Sequence, residues 1–270
     1  MQRRRFLTSS LAASALAVSG AEFPSNAQTP GSGNGGEREY YELRRYHLIN
    51  GPQTKLANNY VAEALIPGLN RLGMKPIGAF NLYFGSETPA LYVLIPSASL
   101  DSLVNAEHRL EQDEEYQKAG EGFLNAPAKE PPYERVESSL MVAFHGYPKL
   151  TLTPVSAQKG PRVFQLRTYE SPTTQDHRRK IEMFHSGEFE IFRKAGFWPV
   201  FYGDTLIGSR LPNLTYMESA PDLSELDGKW KAFFSDPDWK KLTVSPRFNF
   251  EAIVSNISSL ILNPASYSQI

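Results

Sequence analysis

Apolar and polar side chains alternate along residues 162–170, RVFQLRTYE, so that Phe164 and Leu166 share one face while Gln165, Arg167 and Tyr169 share the other. The same pattern stands earlier, at residues 39–47, EYYELRRYH, where Tyr41 and Leu43 oppose Glu42, Arg44 and Tyr46. Each stretch predicts a strand with an oily face and a face carrying a cation and a phenol. Behind the first strand the apolar spacing predicts a helix over 53–72, interrupted at Pro67-Gly68 and stopped by Gly73. Strands near 77–84 and 91–95, split by the turn GSETP, a helix over 100–110 and an apolar run at 136–144 complete the unit. Behind the second strand follow a helix over 176–195 stopped by Gly196, strands at 198–207 and 214–218, and a helix over 223–234. Asp236 is placed to cap a further short turn with Pro237 at its first position, and the last strand is expected over 250–262.

The two units are copies. A constant offset of 123 superposes Leu43 on Leu166, Arg44 on Arg167, Tyr46 on Tyr169, Gly73 on Gly196, Gly85 on Gly208, Leu91 on Leu214 and Asp113 on Asp236, with no gap across this span. Further on, SSL at 138–140 recurs at 258–260, which implies three residues lost. Each copy has the order β-α-β-β-α-β, the ferredoxin-like arrangement, in which two helices cover one face of a four-stranded antiparallel sheet. The fold class is therefore α+β: one repeat at 39–145, a proline-punctuated linker at 146–161 and a second repeat at 162–264. The bare sheet faces should be pressed together. On that arrangement Phe164 and Leu166 lie under the helices, and Arg44, Tyr46, Arg167 and Tyr169 point between the sheets.

The ends and the composition add an address and exclude several functions. Arg3, Arg4 and Arg5, the apolar run 11–18 and small residues up to Ala27 have the order of a secretory signal, with cleavage expected after Ala27 rather than Ala21. RRRFL resembles the twin-arginine export motif through Arg3, Arg4, Phe6 and Leu7, which implies a periplasmic or secreted protein. Residues 28–38 read as a flexible tether, and no transmembrane segment is expected in the mature chain. A formal charge of −1 provides no basic field for nucleic acid. With no cysteine, disulfides, thiolate nucleophiles and cysteine-held metals are excluded. Metallopeptidase, serine-elbow, EF-hand and dinucleotide motifs are missing from the sequence.

FRKAGFWPV at 192–200 and WKAFFSDPDWKKL at 230–242, together with YELRRY and FQLRTY, resemble the NIPSNAP family within the dimeric α+β-barrel group. The second repeat carries the motif through Leu166, Arg167, Tyr169, Gly196, Phe233, Asp236, Pro237 and Trp239. The first is degenerate, with Glu107 where Trp230 stands, Glu114 for Pro237 and Tyr116 for Trp239. The resemblance implies a barrel-like pseudo-dimer. Relatives of that barrel include cofactor-independent and haem-handling oxygenases, and animal members of the family act in trafficking and at damaged mitochondria, roles an exported protein does not inherit.

Two function classes follow. In the first, a binding protein holds a small organic or anionic molecule between its sheets, with Arg44, Tyr46, Arg167, Tyr169, Trp198 and Tyr202 as ligand-binding residues. In the second, an oxygenase- or isomerase-type enzyme uses Arg167 to stabilise an enolate-like charge and His185 or Tyr169 to move a proton. No cofactor is expected, haem on His185 being the alternative. His185 and Glu188 form one His-x-x-Glu spacing without a further ligand, so no metal is expected. Association into a homo-oligomer is compatible with this reading.

Overall fold

The computed structural model describes residues 37–270 other than Asn50 and Ser86. The expected leader at 1–27 and nearly all of the tether therefore lie outside the described residues. In the first repeat, β1 (Tyr40–His47) leads to α1 (Pro52–Tyr60), a π-helical turn at Val61–Leu65 and α2 (Ile66–Arg71). Strands β2 (Gly78–Leu82) and β3 (Ala90–Ser97), helices α3 (Leu100–Val104), α4 (Ala106–Leu110) and α5 (Glu114–Leu124), and β4 (Arg135–Ala143) follow. After the short α6 (Pro154–Ala157) the order recurs with β5 (Val163–Glu170), α7 (Thr174–Met183), a π-helical turn at Phe184–Glu188 and α8 (Phe189–Lys194). It continues through β6 (Trp198–Ile207), β7 (Asn213–Ala220), α9 (Leu223–Ser235), α10 (Pro237–Thr243), α11 (Phe250–Ile253) and β8 (Asn256–Pro264).

Local chemistry explains where these helices stop. Gly73 and Gly196 follow the last helical residues with φ of 84° and 77°, a conformation that glycine adopts without a Cβ clash. Their amides donate to Asn70 and Arg193, and the next amides, of Met74 and Phe197, reach back to Leu69 and Phe192, so orphan carbonyls are satisfied. The expected break at Pro67-Gly68 instead falls in the π-helical turn at 61–65. That turn recurs at 184–188, where the residue equivalent to Pro67 is Glu190, so proline is not the shared cause. The final strand is shorter than expected: Phe250–Ile253 is helical, and pairing begins at Asn256.

Both sheets join edge to edge in one closed barrel, β1-β3-β2-β8-β5-β7-β6-β4. Each repeat supplies four neighbouring strands, and closure is made where β2 meets β8 and β6 meets β4. The register corrects the sequence alignment at the end of each repeat. Arg44 stands opposite Ser138 and Arg167 opposite Ser259, an offset of 121, so two residues rather than three have been lost.

Closure also reverses the expected sides of the sheet. Tyr41, Phe80, Phe164, Leu166, Phe201, Met217 and Leu262 meet inside the barrel, whereas Tyr46 and Tyr169 belong to the separate clusters beneath the helices of their own repeats. An eight-stranded barrel is just wide enough to be filled by its own side chains, so the oily faces pack against each other there. The helix-covered faces have acids, phenols and indoles overhead, and these can receive a guanidinium. Arg44 and Arg167 therefore lie outside the barrel, not between the sheets.

Candidate functional site

Along β1 the inward side chains run Tyr41, Leu43, Arg45, and along β5 Phe164, Leu166, Thr168, from a packed layer to an open one. The packed end is sealed by rings such as Tyr41 on Phe201 at 5.1 Å and Phe80 on Phe164 at 4.8 Å. At the other end a cavity of about 720 Å³ opens, within the usual size range of small-molecule sites. Leu43, Met141, Leu166 and Leu260 form its apolar floor.

Two cross-strand triads make the rim, one from each repeat. In the first, Arg45 stands opposite Tyr92 and Glu137. In the second, Thr168 stands opposite Thr215 and Ser258. The turn residues equivalent at the 123 offset are Glu87 and Arg210. The first half is saturated with its own charges: Arg45 contacts Glu87 and Glu137, each at 2.5 Å, and Tyr92 Oη lies at 3.4 Å. Burial raises the Glu137 carboxyl, but Arg45 and His47 overcome that and hold it below its ordinary value. The second half offers hydroxyls, with Thr168 and Thr215 bonded to each other at 2.9 Å. Arg210 donates to Ser258 at 2.7 Å and lies 3.3 Å from Glu170. Its φ of 58° is an uncommon conformation for a residue with a Cβ, and the Asn213 side-chain amide braces it by donating to the carbonyls of Ser209 and Arg210.

The residues expected from sequence gather elsewhere, on the outer faces. Arg44 is neutralised by Glu42 at 2.9 Å and Glu107 at 2.8 Å and donates to Tyr46 Oη at 3.3 Å. In the second repeat, Arg167 donates to Tyr169 Oη at 3.1 Å, and Tyr169 Oη bonds Tyr216 Oη at 3.0 Å. Tyr202 donates to Glu218 Oε1 at 2.5 Å. Burial pushes the Glu218 carboxyl up to about 8, against the pull of that hydrogen bond and of Lys229 and Arg167. The Lys229 ammonium sits 3.8 Å over the Trp198 ring and has no hydrogen-bond partner among the described residues. Lys180 and Glu188 pair out of solvent, and burial moves both toward neutrality, lowering the ammonium and raising the carboxyl.

His185 is not free to act as a base or an axial ligand. Its Nδ1 donates to the Ile181 carbonyl at 2.8 Å and its Nε2 accepts from the Gly146 amide at 3.0 Å, so both ring nitrogens tie the inter-repeat linker to the helix. A haem held by His185 does not fit this arrangement. Glu188 points into the core and His185 out of it, so the pair does not converge on a metal. Sequence reasoning passed over Arg45, Tyr92, Glu137, Thr168, Thr215, Ser258 and Arg210. The available signal was Arg45 itself, a charge on the same face of β1 as Tyr41 and Leu43.

No curated protein matches the chain. Among solved structures, a protein from Fusobacterium nucleatum described as a candidate monooxygenase aligns with a TM-score of 0.56 at 8% identity, over 84% of this chain and 92% of its own. One from Lactobacillus acidophilus, described in the same way, aligns with a TM-score of 0.53 at 8% identity, over 84% and 94%. A NIPSNAP-like domain protein from Burkholderia xenovorans is 20% identical over 40% of this chain and 89% of its own, with a TM-score of 0.36. The first two share the α+β-barrel architecture. NIPSNAP family sequence matches residues 41–142 and again 164–269, one stretch in each repeat, and the chain belongs to the NIPSNAP family.

Proposed function

We propose that this protein binds a small organic molecule in the open end of its barrel and does so in the bacterial envelope, to which residues 1–27 direct it. The ligand's apolar body rests on Leu43, Met141, Leu166 and Leu260, and its polar end meets the hydroxyls of Thr168, Thr215 and Ser258. The observation that carries this reading is the change of layer along β1 and β5, from packed rings to a hydroxyl-lined cavity of about 720 Å³. Export is supported by the succession of basic, apolar and small residues in the sequence of the leader. An oxygenase- or isomerase-type reading built on Arg167 with His185 or Tyr169 draws no support from this cavity, because none of the three side chains lines it. The neighbours described as candidate monooxygenases, at 8% identity, lend it the architecture alone.

Native mass spectrometry of protein purified from the envelope fraction of its own cells tests the proposal. A co-purifying mass of small-molecule size is expected, and it should be missing when Ser258→Trp fills the cavity. Protein without any bound mass, or the same mass retained by the filled variant, would refute the binding reading. Accumulation of an Arg3→Lys/Arg4→Lys variant in the envelope would refute the export route.

A further inference from the structure

The duplicated fold provides an internal template for what Arg167 lacks. In the first repeat Arg44 has two acidic partners: Glu42 meets its Nε and Nη2 at 2.9 and 3.1 Å, and Glu107 meets Nη1 at 2.8 Å. At the 123 offset these two acids become Gln165 and Trp230. The supporting bonds are retained. Ser138 bonds Glu42 at 2.7 Å, and Ser259, which occupies the equivalent place by strand register, bonds Gln165 at 2.8 Å. The phenol contact also persists, as Tyr46 in one copy and Tyr169 in the other.

The direct ion pairs do not persist. The Gln165 carbonyl oxygen accepts from Trp230 Nε1 at 2.6 Å, and Arg167 lies over the indole, 4.4 Å from its centroid. Nε of Arg167 is buried without a partner, and no carboxylate among the described residues pairs with the guanidinium. Removing the acids from a mostly buried arginine leaves a charge that favours an incoming anion. The surroundings define the rest of that molecule. Phe234, half exposed, stacks on Trp230 at 5.3 Å, and Ile257, also exposed, stands opposite Tyr169 on β8.

We infer that Arg167 and Trp230 form a second binding site, for a small carboxylate with an apolar and preferably aromatic body, on the outer face of the second repeat. The ligand carboxylate supplies the negative charge that Glu107 supplies to Arg44, and its body lies along the exposed Phe234 and Ile257. This site is separate from the barrel cavity and stands or falls independently of it.

Phenylacetate is the probe, titrated into the full protein while the Arg167 Nε–H and Trp230 Nε1–H resonances are followed. Saturable shifts of both are expected, with phenylacetamide and acetate each binding at least about tenfold more weakly. Gln165→Glu, which restores the first repeat's acid, should weaken phenylacetate binding by about tenfold or more while keeping or raising the melting temperature, because the new carboxylate pairs with Arg167 in place of the ligand. Arg167→Gln should abolish binding. The inference is overturned if phenylacetate leaves both resonances unmoved, if phenylacetamide or acetate binds as well, or if folded Gln165→Glu protein binds unchanged.

Discussion

At Glu218 the first repeat has Ile95, at Tyr202 it has Ala79, and at Lys180 and Glu188 it has Ala57 and Leu65. The fold thus tolerates apolar residues at all four positions, and the polar set is a property of the second copy rather than of the architecture. A buried ion pair generally contributes little beyond a well-packed apolar pair, so stability does not explain Lys180 and Glu188. Glu218 makes this residue-scale asymmetry measurable. Its carboxyl, ordinarily near 4.5, is raised to about 8 by burial, so the folded state keeps a proton that the unfolded state releases. Stability from this group is complete below pH 4.5 and falls as pH rises through about 8. At about 1.4 kcal/mol per unit the loss is on the order of 5 kcal/mol. Urea unfolding at a series of pH values should show that decline in the native chain and a flatter profile in Glu218→Gln; parallel profiles would contradict it.

Among the elements, caps were more legible than helices. Asp236 accepts from the Asp238 amide at the start of α10, with Pro237 in the first turn, as the SDPDW string implies. Asp113 does the same for α5, accepting from Tyr116, yet no helix was expected there, because the acidic run 107–115 hides the apolar spacing of Tyr116, Gly120 and Phe123. The repeat held the missing clue: Asp113 aligns with Asp236 and Tyr116 with Trp239. Conversely, the apolar residues at 250–253 fit a strand or a helix equally well, and periodicity over so short a run cannot choose between them. Asp236→Ala should therefore destabilise the protein by about 1 kcal/mol through its exposed cap, with Asp236→Asn retaining most of that. Chemical denaturation of the two variants measures the difference, and equal losses would mean that the carboxylate charge, not the acceptor, is what α10 requires.

For the whole molecule, the repeat, the α+β class and the pairing of two ferredoxin-like units could be read from residues 123 apart, whereas the sidedness of Arg44 and Arg167 could not. Alternation separates two faces of a strand without saying which one becomes interior. That choice is made by β2–β8 and β6–β4 pairing, contacts between residues far apart in the chain. The barrel cavity was hidden for the same reason, since its two triads are assembled from six strands. Closure also makes each repeat depend on the other: alone, either would expose the edges that now pair and the rings that now meet inside. After Pro264 the chain continues onto the first repeat, where the Ala265 and Gln269 amides donate to the Ala79 and Ile77 carbonyls. Residues 37–150 and 151–270 produced as separate chains in one cell should therefore co-purify as a 1:1 complex. Each alone should self-associate or precipitate, because the pseudo-twofold arrangement of the strands allows a second copy to occupy the missing half. Size-exclusion chromatography with light scattering distinguishes these outcomes, and two soluble, monomeric halves would show that neither the edges nor the interior rings need a partner.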